Sequence, residues 1–318
     1  MIDSHNRKMN YLRLSVTDLC NLRCQYCMPK DGIKKSDHQH NLTFEEIDGL
    51  VSELIELGVD KVRITGGEPL VRRNIIELIT MIGRHNEIKD FAITTNGLLL
   101  KSMAKELKTA GIHRVNISLD SMNPTKFEKI TRGGKLQEVL DGIEEALRIG
   151  LTPVKINVVL IGGFNEDEIV DFVELTKDKD IDVRFIELMP IGEVAHWSVN
   201  KFIPNTTVLD KVPLLESIKS KDIHAPASYY KLPGAKGKVG LISAISCKFC
   251  KDCNRLRLTS EGKLKYCLHS NNELDLKQLL KGSEDIQRAI QSFVYEKPLE
   301  HSIEQGNYVN LDMVRVGG

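Results

Sequence analysis

The sequence has few aromatic residues and no excess charge of either sign. Aromatics make up 5% of the 318 residues, with one tryptophan, and 44 basic residues balance 44 acidic ones. A nucleic-acid-binding module needs a basic face with exposed aromatics, so this composition argues against a nucleic-acid partner. Net charge indicates no partner by itself, although a balanced total can still contain a local cluster of arginines.

Long apolar runs are also missing. No stretch reaches the length that a membrane span requires, and the polar tail from Met1 to Lys8 contains no apolar secretory core. The sequence thus predicts a cytoplasmic protein with no membrane partner. A chain of 318 residues, with 41% apolar and 28% charged residues, suits one large α/β domain with a smaller appendage.

Cysteine is absent from the whole middle of the chain. The seven cysteines form two groups, at 20, 24 and 27 and at 247, 250, 253 and 267. An odd number leaves one thiol over in any disulfide scheme, and a reducing cytosol disfavours disulfides. Clustered thiols in that setting more often bind metal or carry out redox chemistry.

Strand and helix patterns alternate through the first 190 residues. Turn-bounded apolar runs predict strands at 11–17, 60–65, 90–95, 112–119, 153–160 and 181–188. Between the first two, Thr43 and Glu46 form a capping box that predicts a helix ending at Gly58. Six such units predict an α/β fold with a parallel sheet, and we favour a partial (βα)6 TIM-like barrel over an open sheet.

The alternation stops near residue 190. Pro190, Gly192, Pro204 and Pro213 interrupt it, and irregular polar sequence leads to the second cysteine group. We therefore predict a partial barrel at 1–190 and a smaller C-terminal region at 191–318. In a (βα) barrel the active site forms at the carboxyl ends of the strands, so polar residues at those ends are candidates for function.

The first cysteine group, Cys20, Cys24 and Cys27, has the spacing C-x3-C-x2-C. One loop with this spacing is short enough to bring three thiolates to one iron–sulfur cluster, which leaves the fourth iron without a protein ligand. From the spacing alone, a zinc site that lacks its fourth ligand and incidental thiols remain alternatives.

The second group, Cys250, Cys253 and Cys267, has the spacing C-x2-C-x13-C. From the spacing alone it is either another three-thiolate cluster or a structural zinc site completed by His269 or Cys247. Arg255 and Arg257 alternate on a predicted strand behind the second ligand, so both guanidinium groups project to one face. Two forked cations beside a cluster suit an anionic, nitrogen-rich ligand such as a purine nucleotide.

The cysteine loop behind the first strand resembles the motif of the radical S-adenosylmethionine (SAM) superfamily, and Gly66-Gly67-Glu68-Pro69 resembles its GGEP motif. The resemblance implies that Cys20, Cys24 and Cys27 hold a [4Fe-4S] cluster whose open iron binds SAM. It also implies further SAM contacts, which we assign to Tyr26, Gly67, Glu68, Ser118 and Met189.

The segment from Phe249 to Thr259, with the cysteine behind it, resembles the GTP 3′,8-cyclase family of that superfamily, whose motif reads F-C-x2-C-N-R-x-R-L-T. This resemblance implies a second [4Fe-4S] cluster, held by Cys250, Cys253 and Cys267. It implies that a 5′-deoxyadenosyl radical made from SAM converts GTP to 3′,8-cyclo-7,8-dihydro-GTP, the first step of molybdenum cofactor biosynthesis. The implied GTP contacts are Arg13, Lys61, Arg63, Thr94, Lys155, Arg184, Arg255 and Arg257.

Catalytic roles are also expected near the C-terminus. Our hypothesis is that Arg255 or Arg257 assists the final electron and proton delivery, and the resemblance implies that the tail that ends in Gly317 and Gly318 reaches into the active site. The resemblance further implies a lyase that works with a one-electron donor such as flavodoxin or ferredoxin, a downstream cyclic pyranopterin monophosphate synthase, and a homodimer.

Two other classes of function remain open at this point. Another radical SAM enzyme with an auxiliary cluster, such as one that modifies peptides, would have a site for a peptide strand in place of an arginine-lined cavity. A non-catalytic metal-binding module would carry zinc without iron or sulfide.

Overall fold

The structure, a computed structural model, describes residues 1–33, 41–192, 195–220, 222–283, 285–303, 309 and 313–317. The strands in this part are β1 (Tyr11–Ser15), β2 (Lys61–Thr65), β3 (Asp90–Thr95), β4 (Arg114–Ser118), β5 (Val154–Leu160), β6 (Ile181–Glu187), β7 (Glu216–Ile218), β8 (Ser228–Lys231), β9 (Val239–Ile242), β10 (Arg255–Leu258), β11 (Lys263–Lys265) and β12 (Leu274–Asp275). The helices are α1 (Phe44–Glu56), α2 (Ile75–Ile82), α3 (Leu100–Thr109), α4 (Pro124–Thr131), α5 (Leu136–Arg148), α6 (Ile169–Asp178), α7 (Ala195–Val199), α8 (Thr206–Lys211), α9 (Leu276–Leu279), α10 (Ile286–Tyr295) and α11 (Met313–Val316).

The strands form one sheet in the order β12-β11-β10-β1-β2-β3-β4-β5-β6-β9-β8-β7. Strands β1 to β6 are the six expected from the sequence, and each pairs in parallel with the next. Helices separate them along the chain, as right-handed crossovers in a parallel sheet require. The expected α/β fold with a partial barrel of parallel strands is confirmed.

The C-terminal strands extend this sheet on both sides. Strand β10 pairs in parallel with β1, and strand β9 pairs in parallel with β6. The sequence suggests a separate C-terminal region, but its strands lie beside the first and the last strand of the barrel. Both parts of the chain therefore contribute walls to the same interior, and the boundary between residues 190 and 191 stays a prediction.

Strand β5 shows how the sheet separates its core from its inner surface. Ile156 and Val158 are fully buried in the hydrophobic core, whereas Lys155, Asn157 and Val159 line cavities. Successive side chains of a strand point to opposite faces, so this alternation follows from the extended backbone. The apolar face packs into the core, and the other face is available for binding.

Helix α1 forms as the sequence predicts. The Thr43 hydroxyl accepts from the Glu46 amide at 3.2 Å, and the Glu46 carboxylate accepts from the Thr43 amide at 2.8 Å. The helix buries Ile47, Leu50, Val51 and Leu54, and such burial contributes about 1.5–3 kcal/mol per side chain. Gly58, with φ of 97°, follows the helix end.

The first ten residues, called the N-terminal segment below, are folded against the C-terminal part of the chain. Asp3 and Arg7 are 2% and 6% exposed, and the amide of Ser4 donates to the carbonyl of Tyr295 at 3.2 Å. From the sequence this segment looks like a polar tail, because the distant carbonyls that Arg7 binds, those of Cys250, Lys297, Pro298 and Leu299, lie far along the chain. None of the described helices has the length and apolar character needed to cross a membrane.

Candidate functional site

A cavity of about 320 Å³ lies inside the curved sheet, and its size is within the range of ligand sites. Its walls come from the carboxyl ends of the strands, as expected for a barrel of this type. The cavity is lined by all six cysteines that the sequence selects as cluster ligands, Cys20, Cys24, Cys27, Cys250, Cys253 and Cys267. Tertiary structure thus brings together two cysteine groups that are far apart along the chain.

The loop with the first three cysteines is closed by its own backbone. The amides of Cys27 and Met28 both donate to the carbonyl of Cys24, at 3.0 and 3.2 Å. Burial, followed by the nearby charge of Cys27, raises the pKa of Cys24 well above its usual value. Buried thiolates repel one another unless a cation lies between them, so this loop fits an iron–sulfur cluster.

Arg132 braces this loop from outside. It follows α4 in a left-handed conformation, with φ of 57°. Its Nη1 donates to the carbonyls of Arg23 and Met28, at 3.0 and 3.1 Å, which flank the segment from Cys24 to Cys27. Nothing in the sequence signals this role, because the contact depends on the packing of α4 against the loop.

The turn at residues 66–69 packs directly on the approach to the first cysteine. The amide of Gly67 donates to the Thr17 carbonyl at 2.7 Å, and the amide of Glu68 donates to the Leu19 carbonyl at 2.8 Å. A Cβ atom at residue 67 would collide with the carbonyl of Leu19 and with Val314. Glycine is therefore required at this position for the turn to approach the cysteine loop.

The side chain of Glu68, which the resemblance assigns to SAM, is buried among hydrogen-bond donors beside the turn. It is 1% exposed and does not line the cavity. Its carboxylate accepts from the Leu70 amide at 3.1 Å, the Thr95 hydroxyl at 2.8 Å and the Asn96 amide at 2.6 Å. Burial raises its pKa to about 7. Glu68 ties the turn to the end of β3, and its expected contact with SAM stays a prediction.

Tyr26, Ser118 and Met189 all line the cavity, as the sequence predicts. The Tyr26 hydroxyl donates to Asp120 at 2.6 Å, and the other oxygen of Asp120 accepts from the Val159 amide at 2.9 Å. Burial raises the pKa of Asp120 to about 6. Asp120 is a cavity residue that was not assigned from the sequence, although its place just after β4 is a usable signal.

Three neighbouring strands place three arginines side by side. In the register of the sheet Arg13 pairs with Arg257 on one side and with Arg63 on the other, and all three line the cavity. Burial lowers the pKa of Arg63 and of Arg257 to about 10. Burial, followed by the charges of Arg257 and Arg63, lowers the pKa of Arg13 well below its usual value. Such a row of buried cations calls for an anion.

Several residues that line the cavity carry a buried polar atom with no hydrogen-bond partner among the described residues. These atoms include the Nε atoms of Arg63 and Arg184, the hydroxyl of Thr94 and the side-chain oxygen of Asn157. Arg184 is anchored through its Nη2, which donates to Asn116 at 2.7 Å. Buried polar groups are nearly always satisfied, so these atoms indicate a polar ligand.

A second cavity of about 510 Å³ lies at the amino ends of the strands and shares Tyr11, Arg63, Arg184 and Arg255 with the first. Lys61 and Lys155 line this second cavity and not the first. Burial, followed by the charges of Arg114 and Arg184, lowers the pKa of Lys155 to about 7. Two of the predicted substrate residues thus belong to an adjoining cationic space. Arg114, which pairs with Asp90 at 2.6 Å, also lines it and was not predicted.

The second cysteine group also fits a cluster. Burial raises the pKa of Cys253, but the charges of Lys297 and Arg255 outweigh burial and lower it to about 7. Cys250, Cys253 and Cys267 all line the same cavity, as the ligands of one cluster must. Cys247 is exposed and does not line the cavity, whereas His269 does.

The end of the chain enters the site. Met313 and Val314 line the cavity, and the Nη1 of Arg257 donates to the carbonyl of Gly317. A Cβ atom at Gly317 would collide with Thr65, and φ there is +71°. Met313 and Val314 thus lie at the cavity and Gly317 beside Arg257, and the catalytic role of the tail stays a prediction. Gly318 lies outside the described residues.

Comparison with known proteins connects both parts of this chain to families. A model described as Radical SAM superfamily matches residues 14–176, and one described as Molybdenum Cofactor Synthesis C matches residues 181–303. The chain is 57% identical to the GTP 3',8-cyclase of Peptoclostridium acidaminophilum over 319 residues, which cover 100% of this chain and 98% of that protein. It is 54% identical to the GTP 3',8-cyclase of Alkaliphilus oremlandii, with 100% of both covered.

Among solved structures, the chain is similar to Streptococcus suis SuiB bound to S-adenosylmethionine. The TM-score is 0.66 at 15% sequence identity, covering 93% of this chain and 68% of that one. At this identity the likeness concerns the fold alone.

Proposed function

The chain belongs to the GTP 3′,8-cyclase family of the radical SAM superfamily, and on that basis we propose that it is a lyase converting GTP to 3′,8-cyclo-7,8-dihydro-GTP at the start of molybdenum cofactor biosynthesis. One observation supports this most directly. Two groups of three cysteines and a row of buried arginines line one cavity. Thiolates suit the clusters, and the arginines suit a nucleoside triphosphate.

We assign the first cluster to Cys20, Cys24 and Cys27, with SAM beside Tyr26, Ser118 and Met189. When bound, the cluster and SAM supply the one-electron chemistry that removes a hydrogen atom from C3′ of the ribose. The chain itself holds the reactants together and excludes water that would quench reactive species. Tyr26 is fixed for this purpose by its hydrogen bond to Asp120.

GTP binding rests on the second cysteine group and the basic walls. Cys250, Cys253 and Cys267 would hold the second cluster against the purine. Arg13, Arg63 and Arg257 form the row that meets the nucleotide, and Thr94, Arg184 and Arg255 complete the first cavity. Lys61 and Lys155 extend the positive charge into the second cavity, so a long anion can span both spaces.

The direct test of function is anaerobic turnover. Reconstituted protein is incubated with SAM, GTP and a strong reductant, and mass analysis follows 5′-deoxyadenosine and a cyclised isomer of GTP. We expect both products. Deoxyadenosine without the cyclised product would reject GTP as the substrate, and neither product from protein with intact clusters would contradict the proposed catalysis.

The pKa of Lys155 leads to a pH prediction for GTP binding. With a pKa of about 7 in the free protein, Lys155 is about half neutral at pH 7. A triphosphate favours the ammonium form, so binding should take up a proton, and GTP affinity should fall as pH rises from 7 to 9, by up to about tenfold per pH unit. Calorimetry in buffers of different ionisation heat measures both the affinity and the protons taken up.

Arginine variants provide the control for this prediction. Lys155→Arg keeps the charge at every pH, so its affinity should lose the extra pH dependence. Comparison with it also removes the titration of GTP itself. Lys61→Arg, in the same cavity wall, should keep the wild-type dependence. Equal slopes for wild type and Lys155→Arg would show that Lys155 does not titrate on binding.

We also infer the partners, the cellular compartment and the oligomeric state of the enzyme. Its chemistry requires a one-electron donor such as flavodoxin or ferredoxin, and its product requires a synthase that forms cyclic pyranopterin monophosphate. Clusters on reduced thiols suit the reducing cytoplasm. We further propose a homodimer.

A further inference from the structure

Lys297, just after helix α10, is buried beside the second cysteine group. It is 3% exposed. Its Nζ lies 2.9 Å from the carbonyl of Arg255, 3.3 Å from the carbonyl of Cys253 and 3.5 Å from the Cys253 Sγ. The sulfur of Met9 is 3.4 Å away. In the part of the chain that the structure describes, these contacts include no carboxylate.

A buried ammonium is costly unless an anion or several acceptors compensate it. Two carbonyls compensate Lys297 in part. Among the described residues its remaining contacts are with the weakly accepting sulfur of Met9 and with the Cys253 sulfur, which as a metal ligand is a thiolate. Hydrogen bonds to ligand sulfurs and nearby charge set the reduction potential of iron–sulfur clusters. A positive charge stabilises the reduced, more negative cluster, and so raises its potential.

The N-terminal segment holds this lysine in place through Arg7. Its Nε donates to Asp3 at 2.6 Å, and its Nη2 donates to the carbonyls of Lys297 and Pro298 at 3.3 and 2.7 Å. Its Nη1 donates to the carbonyls of Cys250 and Leu299 at 2.7 and 2.9 Å. All five guanidinium donors are therefore engaged. One side chain fixes both the backbone of a cluster ligand and the backbone of Lys297.

We propose that Lys297 is a positioning residue that donates to the Cys253 thiolate and, through its positive charge, raises the reduction potential of the C-terminal cluster, the one at Cys250, Cys253 and Cys267. Arg7, which is held by its ion pair with Asp3, fixes the position of Lys297 relative to the backbone at Cys250. This inference rests on the six cysteine ligands of the proposed function.

The test is a reductive titration of reconstituted holoenzyme, followed by electron paramagnetic resonance. Added SAM perturbs the signal of the N-terminal cluster and so distinguishes the two signals. In Lys297→Met the C-terminal cluster should become harder to reduce by at least tenfold in its equilibrium, which is about 59 mV for one electron. Lys297→Arg should restore a potential close to wild type.

Lys251→Met is the matched control. Lys251 lies between two ligands in sequence but is exposed, so water screens its charge and the potential should change little. A shift in Lys297→Met no larger than in this control would overturn the proposal. If Lys297→Met fails to load its cluster, Lys297→Gln keeps a donor without the charge. A wild-type potential in Lys297→Gln would also overturn it.

Two further readouts complete the design. Arg7→Gln should shift the potential in the same direction by a smaller amount, and an unchanged potential would remove Arg7 from the proposal. Iron content separates this inference from the proposed function. Wild-type protein with about four irons per chain would contradict the ligand set, whereas about eight irons with no effect of Lys297→Met would contradict only the role of Lys297.

Discussion

Replacing Cys24 by alanine is expected to abolish cyclisation of GTP, with a loss of more than about four orders of magnitude in turnover. Cys24 is the central cysteine of the proposed ligand loop, and its carbonyl also closes the turn that carries Cys27. Two remaining thiolates do not hold a cluster with an open iron firmly. Iron should fall from about eight to about four atoms per chain, as measured by iron and sulfide analysis.

Cys247→Ala is the control for this loss. Cys247 is exposed and lies outside the cavity lining, so its variant should keep full iron content and full turnover. Cys24→Ala protein that retained about eight irons and wild-type turnover would show that Cys24 is not a ligand. Thermal unfolding of both variants without iron checks that the chain itself is folded.

Replacing Arg257 by alanine is expected to remove the cyclised product while cleavage of SAM continues. Arg257 lies in the row with Arg13 and also donates to the carbonyl of Gly317. Its loss removes a forked cation from the nucleotide site and frees the tail, but leaves the first cysteine loop intact. Loss of one positioned donor commonly costs about 10²–10³-fold, and we expect the cyclised product to fall by at least that factor.

The ratio of 5′-deoxyadenosine to cyclised GTP is the informative measurement. Arg257→Ala should raise this ratio strongly. Arg257→Lys keeps the charge but loses the fork, so its ratio should lie between those of wild type and Arg257→Ala. A parallel fall of both products in Arg257→Ala would assign the residue a general role in folding or SAM binding. Arg255→Ala, tested in the same way, shows whether the neighbouring arginine shares the role.

Much of the fold follows from local patterns in the chain. All six barrel strands occur within two residues of the predicted bounds, and the capping box at Thr43 and Glu46 forms as expected. Local patterns succeed here because a buried parallel strand must be apolar and a helix start must satisfy its free amides. Both requirements involve residues that are neighbours in sequence.

The sequence predicts which types of residue line the site, but it does not predict that they line two adjoining cavities. The sequence assigns Lys61 and Lys155 to the same site as Arg13, whereas they lie near the amino ends of their strands and line a second cavity that Arg13 does not reach. The position of a basic residue along its strand decides which cavity its side chain lines, and the residue type alone does not show that position. Glu68 gives a second example. The motif identifies it as a candidate residue, but only the structure shows that its carboxylate accepts hydrogen bonds from the end of β3.

By itself, the sequence determined the candidate residues for the chemistry: two three-cysteine groups, the glycine turn and the arginines on strands. Only the tertiary structure decided that β10 adds beside β1 and β9 beside β6, so that both cysteine groups line one cavity. It also decided that Arg7 and Lys297 brace the second group. The physical reason is that pairing between distant segments depends on shape and on satisfied buried polar groups across the whole fold, which no local pattern encodes.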